Sequence, residues 1–159
     1  MTKTSLFPAA VLLLAACAAA PEQPAASAPA GAAVPADKLA GSWKLVKIGS
    51  TELPADARAV LEFDTARAAF SGSAGCNNLF GGYTADSNSL KFGETASTRM
   101  LCEPPLMERE RNLTDTLQRT EAYAVENDTL TLYSAARQPL AQAIRSPGKD
   151  AAAQHSESK

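Results

Sequence analysis

Apart from Val34, every residue from Ala18 to Lys38 is polar, proline, glycine or alanine. A segment with so little apolar surface cannot offset the entropy of ordering its backbone, so it can serve as a tether but not as a core. Pro147 to Lys159 likewise holds nothing apolar beyond alanine. The core must come from what lies between, residues 39–146, a length that suits one domain.

Ahead of the tether, Lys3 precedes an apolar run from Leu6 to Ala16. Spanning a bilayer takes about 20 apolar residues, so this run is too short for that and fits the apolar part of an export signal. It ends in Leu14-Ala15-Ala16-Cys17, which resembles the lipobox of bacterial lipoproteins. The resemblance implies that residues 1–16 are removed and that Cys17, carrying a diacylglyceryl group, becomes the new N-terminus. The alternative is an ordinary cleaved signal with a chance cysteine. Each buried CH₂ contributes about 0.8 kcal/mol, and two or more acyl chains anchor stably where one does not. Residues 17–38 then form a lipidated linker, reaching from about 25 Å as a coil to about 60 Å if polyproline-like. Among lipoproteins an Asp after the cysteine favours the inner membrane. Ala18 implies the outer membrane, facing the periplasm.

Fifteen Lys and Arg stand against seventeen Asp and Glu, a net charge of −2. The cations of the middle segment are spread out among acids, which excludes a phosphate-tracking groove or a polybasic membrane patch. Nucleic acid is therefore not an expected partner.

Within the middle segment the apolar spacing is mostly that of strands. Trp43 and Leu45 share a face of the stretch from Gly41 to Ile48, although Val46 and Ile48 break the alternation. Ala59 to Phe63 and Ala68 to Gly72 flank the loop Asp64 to Arg67, and Leu79 to Ala85 and Ser89 to Phe92 flank a second turn. Ala122 to Glu126 and Thr129 to Tyr133 flank Asn127-Asp128, residues that tolerate the positive φ of tight hairpins. A last strand is expected around Leu140 to Ile144. Trp43, Leu61, Phe63, Phe70, Tyr123, Val125, Leu130 and Leu132 are the core candidates from these strands. One helix of about 14 to 16 residues is expected over the stretch Glu103 to Arg119, since prolines are tolerated in a first helical turn. It carries Leu106, Leu113 and Leu117 on one face. Glu110 falls within that stripe, either as a ligand-binding carboxylate or as an edge residue reaching water or an arginine.

With Cys17 acylated, Cys76 and Cys102 remain, and an exported chain permits a disulfide between them. It would close a loop of about 27 residues and stabilise the fold by roughly 3.5 kcal/mol; two free thiols are the alternative. No metal site and no cofactor are expected. The single histidine, His155, lies in the tail, so neither a catalytic thiol nor a serine triad has a base in the folded part. The glycines at 72, 75, 81 and 82 lack a phosphate-loop pattern and read as turns, bulges or close backbone approach around Cys76-Asn77.

Phe70-Ser-Gly-Ser-Ala-Gly-Cys-Asn-Asn78, Tyr83, Thr98-Arg-Met-Leu-Cys102, a helix and the hairpin from Tyr123 to Leu132 together resemble the META domain, also called HslJ-like, over about Leu39 to Ile144. The resemblance implies a mainly β (α+β) fold, a small antiparallel half-open barrel or two curved sheets with one packed helix. It gives Gly75 and Asn77 as the motif turn. It also implies a non-enzymatic envelope lipoprotein of the stress response, to heat or antibiotics, acting on an envelope protein partner through a groove between sheet and helix. Arg99, Glu108 and Arg111 are the expected contact residues. The alternatives are a carrier of a small apolar ligand inside the barrel and a hydrolase built on serines such as Ser71 and Ser73.

Overall fold

The computed structural model describes residues 36–147. Cys17, Val34 and His155 lie outside the described residues. A short 3-10 turn at Ala36–Leu39 leads into β1 (Gly41–Ile48), β2 (Thr51–Glu52), β3 (Val60–Asp64), β4 (Ala69–Ser73), β5 (Asn78–Asp86) and β6 (Ser89–Ser97). Helix α1 (Pro104–Arg119) then precedes β7 (Ala122–Glu126), β8 (Thr129–Tyr133) and β9 (Pro139–Arg145).

The strands are antiparallel neighbours in the order β2-β1-β3-β4-β5-β6-β7-β8-β9, and β1 also pairs with β9. With β2 hanging outside on β1, the other eight strands close into a barrel. The expected barrel is therefore present, but its ring is closed where a half-open one or two separate sheets were expected. What remains of the opening is one weak seam. β6 and β7 share the single register pair Ser89↔Ala122, and α1, which joins them, packs on β6, β1 and β9.

Local chemistry accounts for the irregularities. The broken alternation in β1 is a bulge: Leu45 pairs with Ala143 and Lys47 with Gln142, which leaves Val46 as the extra residue. The bulge resets the phase, so Ile48 is buried like Trp43 and Leu45. Asn127 takes φ +52° in the β7–β8 turn, as its residue type allows. Strand β6 runs to Ser97, five residues past the sequence reading, because pairing with β5 carries it on through Thr95, Ala96 and Ser97 without an apolar alternation to announce it. At Gly81, beside the register shift of that pair, a Cβ would stand 2.5 Å from the Glu94 carbonyl oxygen. Only glycine fits there.

Trp43, Leu61, Phe63, Phe70, Leu113, Leu117, Tyr123, Leu130 and Leu132 are all in the core; Val125 is the exception, half-buried at its edge. Phe63 meets Tyr83 edge-on with ring centroids 5.3 Å apart, and Phe70 meets Phe92 at 4.8 Å. Below them Arg145 clamps the chain's entry. It donates to the carbonyls of Lys38 (2.9 Å) and Ala40 (3.0 Å) and lies 4.2 Å over the Trp43 ring.

Burial pushes the phenols of Tyr83 and Tyr123 up from the ordinary value near 10, helped by Asp64 for the first and by Tyr83 and Asp86 for the second. The unfolded chain then releases these protons before the folded one does, so it gains stability from ionisation first. Stability should hold up to about pH 10 and fall as pH rises from there toward the raised folded values. Thermal melts between pH 8 and 11, with phenolate absorbance followed in parallel, check this; a melting temperature that stays flat above pH 10 would contradict it.

Candidate functional site

Asn77 immediately precedes β5 and has only 2 % of its surface exposed. A buried amide needs a partner for each polar atom, and this one has them. Its Oδ1 accepts from the Thr98 hydroxyl at 2.9 Å and the Met100 backbone N–H at 2.7 Å. Its Nδ2 donates to Glu110 Oε2 at 2.9 Å and to the Met100 carbonyl at 3.3 Å. The turn before it is shaped by Gly75 at φ +109° and by Ser73, whose hydroxyl donates to the Asn77 carbonyl and accepts from the Gly75 N–H. Ser73 is thus engaged in holding the turn, while Ser71 stands exposed on β4.

Glu110 matches neither role expected from its stripe. It is half-buried, and Oε2 takes both the backbone and side-chain N–H groups of Asn77 while Oε1 faces the Ser97 hydroxyl at 3.3 Å. The carboxylate ties the helix to the turn. An acid inside an apolar helical stripe was the legible signal; its partner, 33 residues earlier, was not.

Cys76 and Cys102 are joined, with S–S 2.01 Å and Cα atoms 6.1 Å apart. The link fastens the motif turn to the loop leading into α1, beside the Asn77 bonds. Cys76→Ala and Cys102→Ala should each lower unfolding free energy by about 2 to 4 kcal/mol, and the double variant should be no worse, because one covalent link cannot be lost twice. Urea denaturation measures it; additive losses would refute the pairing.

Beside this hub an open groove of about 610 Å³ runs between the end of β6 and α1, lined by Asn77, Thr95 to Leu101, Met107 and Glu110. On its lip Met100 is 59 % and Leu101 97 % exposed. Of the expected contact residues, Arg99 lines this groove. Glu108 instead lines a smaller pocket of about 240 Å³ on the other flank of the helix, against Thr51 to Pro54. Arg111 is exposed on the helix's outer side. The three do not form one surface, because α1 presents different flanks to β6 and to the β1–β2 corner. Inside the barrel Trp43, Tyr123, Leu61, Leu90, Leu113 and Leu130 fill the space an apolar ligand would need, which speaks against the carrier reading.

A closed antiparallel barrel with a helix across one mouth, pinned by an asparagine hub, defines a small domain of the binding type. The chain belongs to the META domain family, whose model matches residues 37–146. Three solved structures share the fold. A protein from Burkholderia xenovorans, solved by NMR, is 24 % identical with TM-score 0.59, covering 80 % of this chain and all of that one. A second NMR structure is 24 % identical with TM-score 0.53, covering 65 % and 88 %. A duf4847 family protein from Bacteroides vulgatus is 14 % identical with TM-score 0.52, covering 68 % and 94 %. No curated protein matches the chain.

Proposed function

We propose that this chain is a lipoprotein of the bacterial envelope, held at the outer membrane by acyl chains on Cys17. In this reading its barrel acts without catalysis by binding an envelope protein partner in the response to heat or antibiotic stress. The observation that carries the binding role is the lip of the groove. A leucine 97 % exposed stands next to a disulfide and an asparagine hub that hold its loop in place. Apolar side chains held out in water invite a partner that covers them. The described chain begins beside Gly41, which pairs with Phe63, whereas the hub lies past the other end of the β3–β4 ladder, beyond Val60↔Ser73. Gly41 and the lip thus belong to opposite ends of that ladder, which supports a lip turned away from the point where the chain enters the barrel.

A photocrosslinking residue placed at Leu101 in living cells should capture a defined envelope protein, and one at the exposed Gln118 should not. Leu101→Asp and Arg99→Glu should weaken capture and stress tolerance with no change in melting temperature. Cys17→Ser should remove lipid labelling and, with it, the tolerance. Equal capture from both probe positions, or substrate turnover that survives repurification and is lost with one substitution, would overturn the reading.

A further inference from the structure

The ring of strands is closed, yet one strand edge within it has no strand beside it for most of its length. β6 and β7 share only the pair Ser89↔Ala122, flanked by the bond from the Leu90 N–H to the Glu121 carbonyl. Beyond Leu90, among the described residues, β6 is paired on its β5 side alone. Helix α1 packs on β6, but toward the end of the strand Thr95, Ala96 and Ser97 line the open groove.

Which backbone groups face that groove follows from the alternation of an antiparallel ladder. The Thr98 N–H donates to the Asn78 carbonyl at 3.1 Å, and the Glu94 carbonyl oxygen lies against Gly81. Thr98, Ala96 and Glu94 therefore turn their peptide groups toward β5. Thr95 and Ser97 turn theirs the other way, so the N–H and C=O of both point from the edge into the groove. Sheet edges are ordinarily blunted by lysine, proline or a covering element, and the sequence Thr-Ala-Ser here supplies neither residue. The edge is also held in shape. The Ser97 hydroxyl faces Glu110 Oε1 at 3.3 Å, and Asn77 and the disulfide fix the loop that follows.

We propose, building on the binding role given to the groove lip, that this edge takes up one extended segment of a partner protein as an added antiparallel strand. Thr95 and Ser97 each exchange a pair of backbone hydrogen bonds with it. Side chains set which segment fits. Phe80, 48 % exposed, pairs with the exposed Ala96 on the outer face of β5 and β6, and the incoming residue opposite Ala96 extends that row, which favours an apolar side chain. Two charged side chains line the groove, Glu110 and Arg99. Glu110 is bonded to Asn77, whereas Arg99 is exposed and takes part in none of the ion pairs among the described residues. The charge left to meet a partner is positive, so the segment that fits joins an apolar residue to an acid and has no proline at the paired positions.

The test selects a displayed library of random ten-residue peptides on the purified full chain. Selected peptides should share an apolar residue beside an acid. Methylating their backbone nitrogens one at a time should weaken binding about tenfold or more at two positions two residues apart, and not at the position between them, since only alternate N–H groups reach the edge. Fluorescence anisotropy reads the affinity. Ser97→Pro removes an N–H that β5 does not use; it should lower affinity about tenfold or more with circular dichroism unchanged. Arg99→Glu should weaken the acid-bearing peptides. No enriched peptide, a methylation scan without alternation, or sedimentation showing two copies of the chain paired through this edge would overturn the added strand. Photocapture at Leu101 that persists in those cases leaves the binding role standing, so the two failures are told apart.

Discussion

Replacing Trp43 with alanine should cost the barrel about 3 to 5 kcal/mol, the range for deleting a buried large aromatic from a packed core. Trp43 is fully buried on β1, the strand that pairs with β3 on one side and closes the ring with β9 on the other. The loss has three parts: a cavity at the centre of the core, an unpaired Leu39 carbonyl that now accepts from the indole N–H at 2.7 Å, and the stacking with Arg145. Against a typical net stability of about 5 to 15 kcal/mol such a loss removes a large share, so the variant should unfold at markedly lower urea. Trp43→Phe keeps most of the volume and should lose only about 1 to 3 kcal/mol, chiefly for the unsatisfied carbonyl. The chain has one tryptophan, so the unfolding must be followed by circular dichroism. Equal losses in the two variants would show that packing is not what Trp43 supplies.

Asn77→Ala should be nearly as damaging, at about 3 to 5 kcal/mol. It strips the Met100 N–H of its acceptor and leaves the half-buried Glu110 carboxylate short of a donor, and removing one partner of a buried charged bond carries the desolvation cost of the other. Asn77→Asp is the sharper test because it keeps the shape. It sets a second carboxylate where Nδ2 now stands 2.9 Å from Glu110 Oε2, and two carboxylates that close cannot both ionise cheaply. The variant should therefore lose stability at neutral pH and recover part of it in acid, once one of the pair takes a proton. Pairing Asn77→Ala with Glu110→Gln should give less than the summed loss, since both act on one network. A pH-independent deficit for Asn77→Asp, or simple additivity in the pair, would remove Glu110 from the hub.

Much of the fold was legible in the chain because its causes are local. Period-2 alternation marks which face of a strand is buried, and it placed Leu61 and Phe63, Leu130 and Leu132 in the core where they are found. Two prolines followed by Leu106, Leu113 and Leu117 fixed a helix that spans Pro104–Arg119. A tract of alanine and proline cannot fold by itself, so composition alone bounds the core. The last residues of β6 carry no alternation, and in β1 a bulge imitates a broken pattern, so neither feature is legible locally.

What the tertiary structure alone decided is everything that rests on long-range geometry. Closure of the ring depends on β1 meeting β9, about a hundred residues later, and neither strand carries a mark naming the other. The partner of Glu110 is fixed by how α1 packs on the barrel, which also sends Arg99 and Glu108 to different flanks of the helix. Sequence spacing states which residue types are present and which face of an element they share. It does not state which atoms come within hydrogen-bond reach of each other, and at Asn77 five such bonds of 2.7 to 3.3 Å, to Glu110 on the helix and to Thr98 and Met100 in the loop after β6, are what turn a glycine-rich stretch into a site.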